Sequence, residues 1–199
     1  DNVLINQAIV YFKNEEGRYK EAGNIKNAVP FLHQDPDSDE ILGQCEESGR
    51  DQGHATLCVS LMGAFCQMAY SIGEDLFAFD NYRAVAMAEY VGKYNLIKDE
   101  AFNKGTLVGD DFVYDSNSFP YTSYSNPSYT NTTISTDQRG TKRPAWELFY
   151  GYCKAKGISS IYSGKWAEQM RPDGGGGNYG PNSGGFDQLG FGTLMYYRE

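Results

Sequence analysis

Apolar positions recur at spacings of three and four in five stretches of the chain, and each stretch predicts a helix. The first is short: Leu4, Ile5, Ala8, Ile9 and Phe12 form a stripe that ends near Gly17. The strongest carries Leu57, Leu61, Ala64, Phe65, Met68, Ala69 and Ile72. Ser48 with Asp51 three residues later resembles a capping box at its start, and Gly73 supplies its stop. A third begins after Asp80, carries Ala84, Met87, Ala88 and Val91, and ends near Asn95. Pro144 at a first-turn position and Gly157 just past the end bracket a fourth, the asymmetry expected of helix termini. The last runs from about Ser160 to Met170 and is stopped by Pro172.

Between the helices the periodicity breaks. Residues 13 to 47 are irregular, with a turn cluster at Asp35-Pro36-Asp37-Ser38-Asp39. Residues 101 to 140 are rich in Ser, Asn, Thr and Tyr, and aperiodic stretches of that length are usually functional or disordered. Tyr121, Tyr124 and Tyr129 suit a binding loop, since aromatic faces stack on sugar rings, and they suit an ordinary surface loop as well. Residues 173 to 185 are dominated by glycine. Gly175, Gly177 and Gly180 match GxGxxG in letters, but no strand precedes them and no helix opens on them, which excludes a dinucleotide site. No Gly-Lys-Ser/Thr follows, so a P-loop is excluded too. Residues 189 to 197 fit a strand or a buried helix equally. No repeat of about 20 to 50 residues is visible.

Composition narrows the class. A chain of 199 residues fits one large domain or two small ones. With 40% hydrophobic residues, 15% aromatic residues and 16 Tyr it is too apolar to be disordered. No uninterrupted apolar run of about 18 residues exists, so no membrane span is expected. Asp1-Asn2-Val3 resembles neither a signal peptide nor a transit sequence, and residue 1 is expected to be a processing boundary or a chosen cut. Lys plus Arg number 17 against 26 Asp plus Glu, a formal charge of −9. That balance excludes a general nucleic-acid or anionic-membrane binder and still allows local anion binding, because separated charges are screened. Cys45, Cys58, Cys66 and Cys153 lack CxxC spacing and read as buried free thiols.

Two groups of residues carry candidate chemistry. His33 reads as surface. His54 instead leads the apolar stripe of the strongest helix, and Arg50 four residues earlier shares its face. Such a pair either faces a concavity or is satisfied internally by Glu46, Glu47 or a neighbouring helix. The second group runs from Arg143 to Tyr150, seven residues apart and so on one helix face about two turns apart. Trp146 and Glu147 lie between them, and Arg139 and Lys142 add local positive charge. A cation at a helix N-terminus is mildly unfavourable, which favours a functional reason for Arg143.

The run Glu46-Glu47-Ser48-Gly49-Arg50-Asp51-Gln52-Gly53-His54 resembles the signature of the alginate lyase family, the α/α-toroid polysaccharide lyases. The resemblance continues through residues 73 to 77, Glu89-Tyr90, Lys93-Tyr94-Asn95, Arg143-Pro144-Ala145-Trp146-Glu147 and the run from Arg171 to Gly185. It covers most of the chain from about residue 44. It implies cleavage of a 4-linked uronate polymer by β-elimination: a base takes the C5 proton, a cation or amide neutralises the C6 carboxylate, and an acid protonates the departing O4. By resemblance, His54, Tyr150 and Arg143 are the catalytic residues. Tyr150 is the acid, and also the base for one C5 configuration. His54 is the base for the other or orients the substrate. Arg143 neutralises the carboxylate and favours the phenolate. Relatives often place Asn directly before the His; here Gly53 stands there, and Gln52 or Arg50 takes the neutralising role. Arg50, Gln52, Trp146, Glu147, Tyr121 and Tyr124 are the expected substrate contacts.

The fold implied is mainly α, part of an α/α toroid with long loops. A closed toroid takes roughly a dozen helices, on the order of 200 residues at ordinary helix and loop lengths. Five predicted helices leave the helical barrel incomplete. Residues 1–199 are therefore expected to be a single catalytic-domain portion, the C-terminal part of a longer lyase. Its expected partners are an acidic polysaccharide substrate and either a separate N-terminal piece of the same lyase or a second copy. No cofactor or metal is called for, since the Asp residues match no calcium loop and one His gives no zinc set. The resemblance implies a secreted or periplasmic location. It leaves the uronan open, with alginate first and glucuronan or a related polymer next. Two other classes compete. A toroid hydrolase would use two carboxylates among Glu46, Glu47, Asp51 and Glu147. A non-catalytic sugar binder would use the tyrosine loop.

Overall fold

The computed structural model describes residues 2–14, 24–126 and 129–171. Among them lie six helices and two small hairpins, so the fold is mainly α. The helices are α1 (Asn2–Asn14), α2 (Ile25–Ala28), α3 (Gln52–Ser71), α4 (Phe79–Asn95), α5 (Trp146–Lys156) and α6 (Ile161–Met170). Strands β1 (Phe31–Gln34) and β2 (Ile41–Gln44) pair antiparallel, Phe31 opposite Gln44, around the Asp/Pro turn. Strands β3 (Tyr124–Asn126) and β4 (Tyr129–Asn131) form the second hairpin. Both hairpins lie in stretches that lack periodicity, because strands of three or four residues are too short to show alternation. The glycine run and residues 189 to 197 lie outside the described residues.

α4 is the central element. Every residue from Ala84 to Asn95 is buried, with α3, α5, α6 and β2 packed around it. β2 approaches α4 closely because residue 43 is glycine: a Cβ there would lie 2.8 Å from the Met87 nitrogen. α5 runs alongside α3 in the same direction, as Gly63 meets Phe149 while Tyr70 further on meets Tyr152. α6 packs on α5 through the stacked Trp146–Trp166 pair, whose centroids are 5.2 Å apart, and on α4 through Trp166 Nε1, which donates to the Gly92 carbonyl at 2.9 Å. Its first turn is capped by the buried Glu89 carboxylate, which accepts the N–H groups of Tyr162 (2.8 Å) and Ser163 (3.0 Å).

Three local expectations are corrected. The Ser48/Asp51 capping box does not form: Ser48 lies in a 3-10 turn, Glu46–Gly49, and Asp51 is itself the N-cap of α3. α5 begins at Trp146, so Arg143 and Pro144 precede the helix and Arg143 does not share a helical face with Tyr150. The apolar stripe of α3 is only in part its buried face: Ala69 is buried and Phe65 packs on Phe12, 5.4 Å between ring centroids. Leu61 (56% exposed), Met68 (62%) and Ile72 point outward, while Ala55, Thr56, Val59, Ser60, Gly63 and Cys66 face the core. Cys58 is half-buried, and the other three cysteines are buried free thiols. No helix among the described residues is long and apolar enough to cross a membrane.

Candidate functional site

The first turn of α3 orients His54. Asp51 Oδ1 accepts the His54 backbone N–H at 2.7 Å, capping the helix, while Oδ2 lies 2.6 Å from Nδ1 of the same residue. A carboxylate only accepts, so Nδ1 carries the proton and Nε2 of the neutral ring presents a lone pair. The His54 side chain is 40% exposed, so it can reach a ligand from solvent. A base held by a carboxylate in this way has the first two parts of a proton-transfer relay. The sequence marks Asp51 as part of a helix cap and as one of four candidate hydrolase carboxylates; its bond to the His54 ring appears only in the fold.

Gln52 and Arg50, the two alternatives for the neutralising role, differ in what they are free to do. Gln52 is buried, and its amide donates to the Ser48 and Ser135 carbonyls at 2.9 and 3.0 Å while accepting from Asn95 Nδ2 at 2.9 Å. It ties α3 to α4 and to the 135–138 loop, with no donor left for a substrate. Arg50 is half-exposed and pairs with Glu47 and Asp51 at 3.4 and 3.6 Å.

Arg143 reaches the same end of α3 from the segment before α5, its Nε donating to Thr56 Oγ1 at 3.3 Å. Arg139 and Lys142 serve the fold. The Arg139 guanidinium lies between the rings of Tyr94 and Phe112, 4.0 and 4.1 Å from their centroids, and donates to the Tyr94 and Tyr114 carbonyls. Burial lowers its pKa. Lys142 donates to the Phe102 carbonyl at 2.6 Å.

Tyr150 packs its ring over Gly164, where a Cβ would lie 3.1 Å from Cε2. The cation beside it is Arg171, whose guanidinium lies 5.2 Å from the ring centroid. Glu147 holds Arg171 through both carboxylate oxygens, at 2.9 and 3.3 Å. The Glu147 bond, more than Tyr150, raises the Arg171 pKa above its ordinary value. Glu147 thus anchors a cation, and Trp146, 1% exposed and stacked on Trp166, belongs to the core. Arg171 was visible in the sequence only as a motif letter.

The tyrosine loop covers the 3-10 turn before α3. Tyr124 is buried, and its hydroxyl donates to Glu46 Oε2 at 3.2 Å. Burial, opposed by that bond, raises the Glu46 pKa. The Tyr121 hydroxyl presses against Gly49, as does Asn131. These rings lie against the turn, Tyr124 buried and Tyr121 half-buried. Among the described residues no group of three His, Cys, Asp or Glu side chains is arranged to hold a metal ion.

An open cleft of about 720 Å³ lies beside this end of the molecule, between residues 104–112 and the turn at 136–142. Its lining is largely polar and includes Lys104, Thr106, Ser116, Thr136 and Gln138. The structure therefore gathers His54, Asp51, Arg50 and Arg143 at the start of α3, and places Tyr150 with Arg171 on the α6 side of α5. No family model, curated protein or solved structure matches the chain.

Proposed function

We propose that the chain is the catalytic portion of a polysaccharide lyase, within an α/α toroid, that cleaves a 4-linked uronic-acid polymer, alginate first among them. The observation that carries the reading is the Asp51-held imidazole of His54, with Arg143 bonded to Thr56 on the same helix. A carboxylate-held base and a cation bonded to the same helix supply two of the groups that removing a proton beside a carboxylate requires. In the proposed step a base, His54 Nε2 or the Tyr150 oxygen according to C5 configuration, takes the C5 proton. The C4–C5 double bond forms, the C4–O4 bond breaks, and Tyr150 gives a proton to O4. Arg143 lowers the charge on the C6 carboxylate while the enolate-like intermediate develops. A polymeric substrate of this kind implies a secreted or periplasmic enzyme.

The test is incubation with polymannuronate, polyguluronate and polyglucuronate, following the ultraviolet absorbance of the unsaturated uronate. Absorbance is expected with at least one polymer. Tyr150→Phe, which removes one hydroxyl, is expected to fold normally and lose about 100- to 10,000-fold in kcat. New reducing ends without absorbance would indicate hydrolysis, and binding without either product would indicate a sugar-binding protein. Either outcome, or near-normal elimination by Tyr150→Phe, sinks the assignment.

A further inference from the structure

Gly53, the residue before His54, has no side chain, yet the space beside it is filled. A Cβ built there would collide with Gln138 Oε1 and lie 3.0 Å from Gln138 Cδ and 3.2 Å from Asp51 Oδ1. The carboxamide of Gln138 therefore lies over the α3 turn that carries the Asp51–His54 pair. Two backbone bonds hold its loop there: Gln52 N–H to the Asp137 carbonyl at 2.9 Å and Ser135 N–H to the Ser48 carbonyl at 3.0 Å. Gln138 also lines the 720 Å³ cleft, so one side chain joins the cleft to the histidine turn. Its backbone sits at φ +54°, a left-handed conformation that residues other than glycine rarely hold and that concentrates at ligand-binding positions. A glutamine that only closed a turn would be better replaced by glycine.

We infer that Gln138 is a substrate-binding residue, whose side-chain amide donates to the C6 carboxylate of the uronate lying next to His54. The inference rests on the lyase reading and completes it. Gln52 has no donor to spare, and Arg50 is engaged with two carboxylates, so an amide is supplied from a different loop into the space that Gly53 leaves. An amide donor stabilises a developing enolate without adding a second full positive charge.

The experiment compares the chain with Gln138→Ala, Gln138→Gly and Gln138→Glu on the uronan that gives the strongest absorbance. Gln138→Ala and Gln138→Gly are expected to lose about 100- to 1,000-fold in kcat, the usual effect of removing one preorganised donor. Gln138→Gly also releases the left-handed strain, so its melting temperature should equal or exceed that of the parent while activity falls. Gln138→Glu keeps the shape and sets a carboxylate against the substrate carboxylate. Its activity relative to the parent at the same pH should therefore recover as pH falls through about 4.3, where the carboxyl becomes a donor. Variants within threefold of the parent overturn the inference, and so does a Gln138→Glu ratio that does not change with pH. If the parent forms no unsaturated product from any uronan, the lyase reading fails, and equilibrium binding of alginate then decides the role of Gln138. Binding at least tenfold weaker in Gln138→Ala keeps it as a carboxylate contact; equal binding removes it.

Discussion

Lys93 is 1% exposed, and its ammonium is enclosed by Asp35, by Asp37 at 2.6 Å, and by the rings of Tyr114 and Tyr162 at 4.6 and 5.3 Å. Tyr162 donates its hydroxyl to Asp35 Oδ2 at 2.5 Å, and Ser38 adds a bond at 2.7 Å. Burial by itself raises the Asp35 pKa, but the bonds from Lys93 and Tyr162 outweigh it and hold the carboxyl below its ordinary value of 3.8. A depressed carboxylate stabilises the fold above its unfolded pKa, and that contribution is lost as pH falls through the folded value. Stability should therefore drop on acidification below about pH 4, and Asp35→Asn should flatten that limb. Lys93→Met strands the buried Asp35 carboxylate, Asp37 being exposed, and should cost about 3–5 kcal/mol in urea denaturation at neutral pH. The double variant with Asp35→Asn should recover part of the loss; a Lys93→Met variant as stable as the parent would show the ion cluster to be inert. His54 and Arg143 stand out in the sequence as candidates because their residue types differ from their surroundings. The placements of Gln138 beside Gly53, Arg171 beside Glu147 and Lys93 beside Asp35 do not, since each depends on a partner that only the fold brings near.

At the scale of elements, the five longer helices were legible to within a few residues, and α3 shows why their faces were not. Periodicity weighs large apolar side chains, so its stripe of Leu57, Leu61, Ala64, Phe65, Met68, Ala69 and Ile72 includes Leu61, Met68 and Ile72, which are exposed. The core uses the small face instead, because Ala55, Gly63 and Cys66 let α5 come close enough for Phe149 to touch the α3 backbone; a Cβ at Gly63 would lie 2.8 Å from the Phe149 ring. Large residues on that face would hold the helices apart. The expected consequence inverts the pattern. Leu61→Gln and Met68→Gln, exposed and neutral in helix propensity, should change stability by no more than about 0.5 kcal/mol. Gly63→Val should cost at least about 2 kcal/mol through overpacking. Thermal denaturation of the three variants distinguishes the two faces, and equal losses would restore the apolar stripe as the buried side.

At the scale of the molecule, the formal charge of −9 opposes the proposed substrate, itself a polyanion. The cations near the cleft do not reverse it: Lys104 is paired with Asp111, and Arg139 and Lys142, whose partners are rings and carbonyls, leave two positive charges against a net −9. Attraction for a uronate therefore acts at short range, through Arg143 and the proposed Gln138 amide, while the field of the whole chain repels. Salt separates these two contributions, because the Debye length falls from about 30 Å at 0.01 M to about 10 Å at 0.1 M. Screening over that interval removes repulsion between separated charges before it weakens contacts at hydrogen-bond distance. The apparent KM for alginate should accordingly fall as ionic strength rises from about 0.01 to 0.1 M, then rise again toward about 1 M as the Arg143 contact is itself screened. Arg143→Gln should keep the initial fall and lose most of the later rise. A KM that increases steadily from the lowest salt would mean that long-range attraction outweighs the net charge, and that the substrate path runs over a basic surface not identified among the described residues.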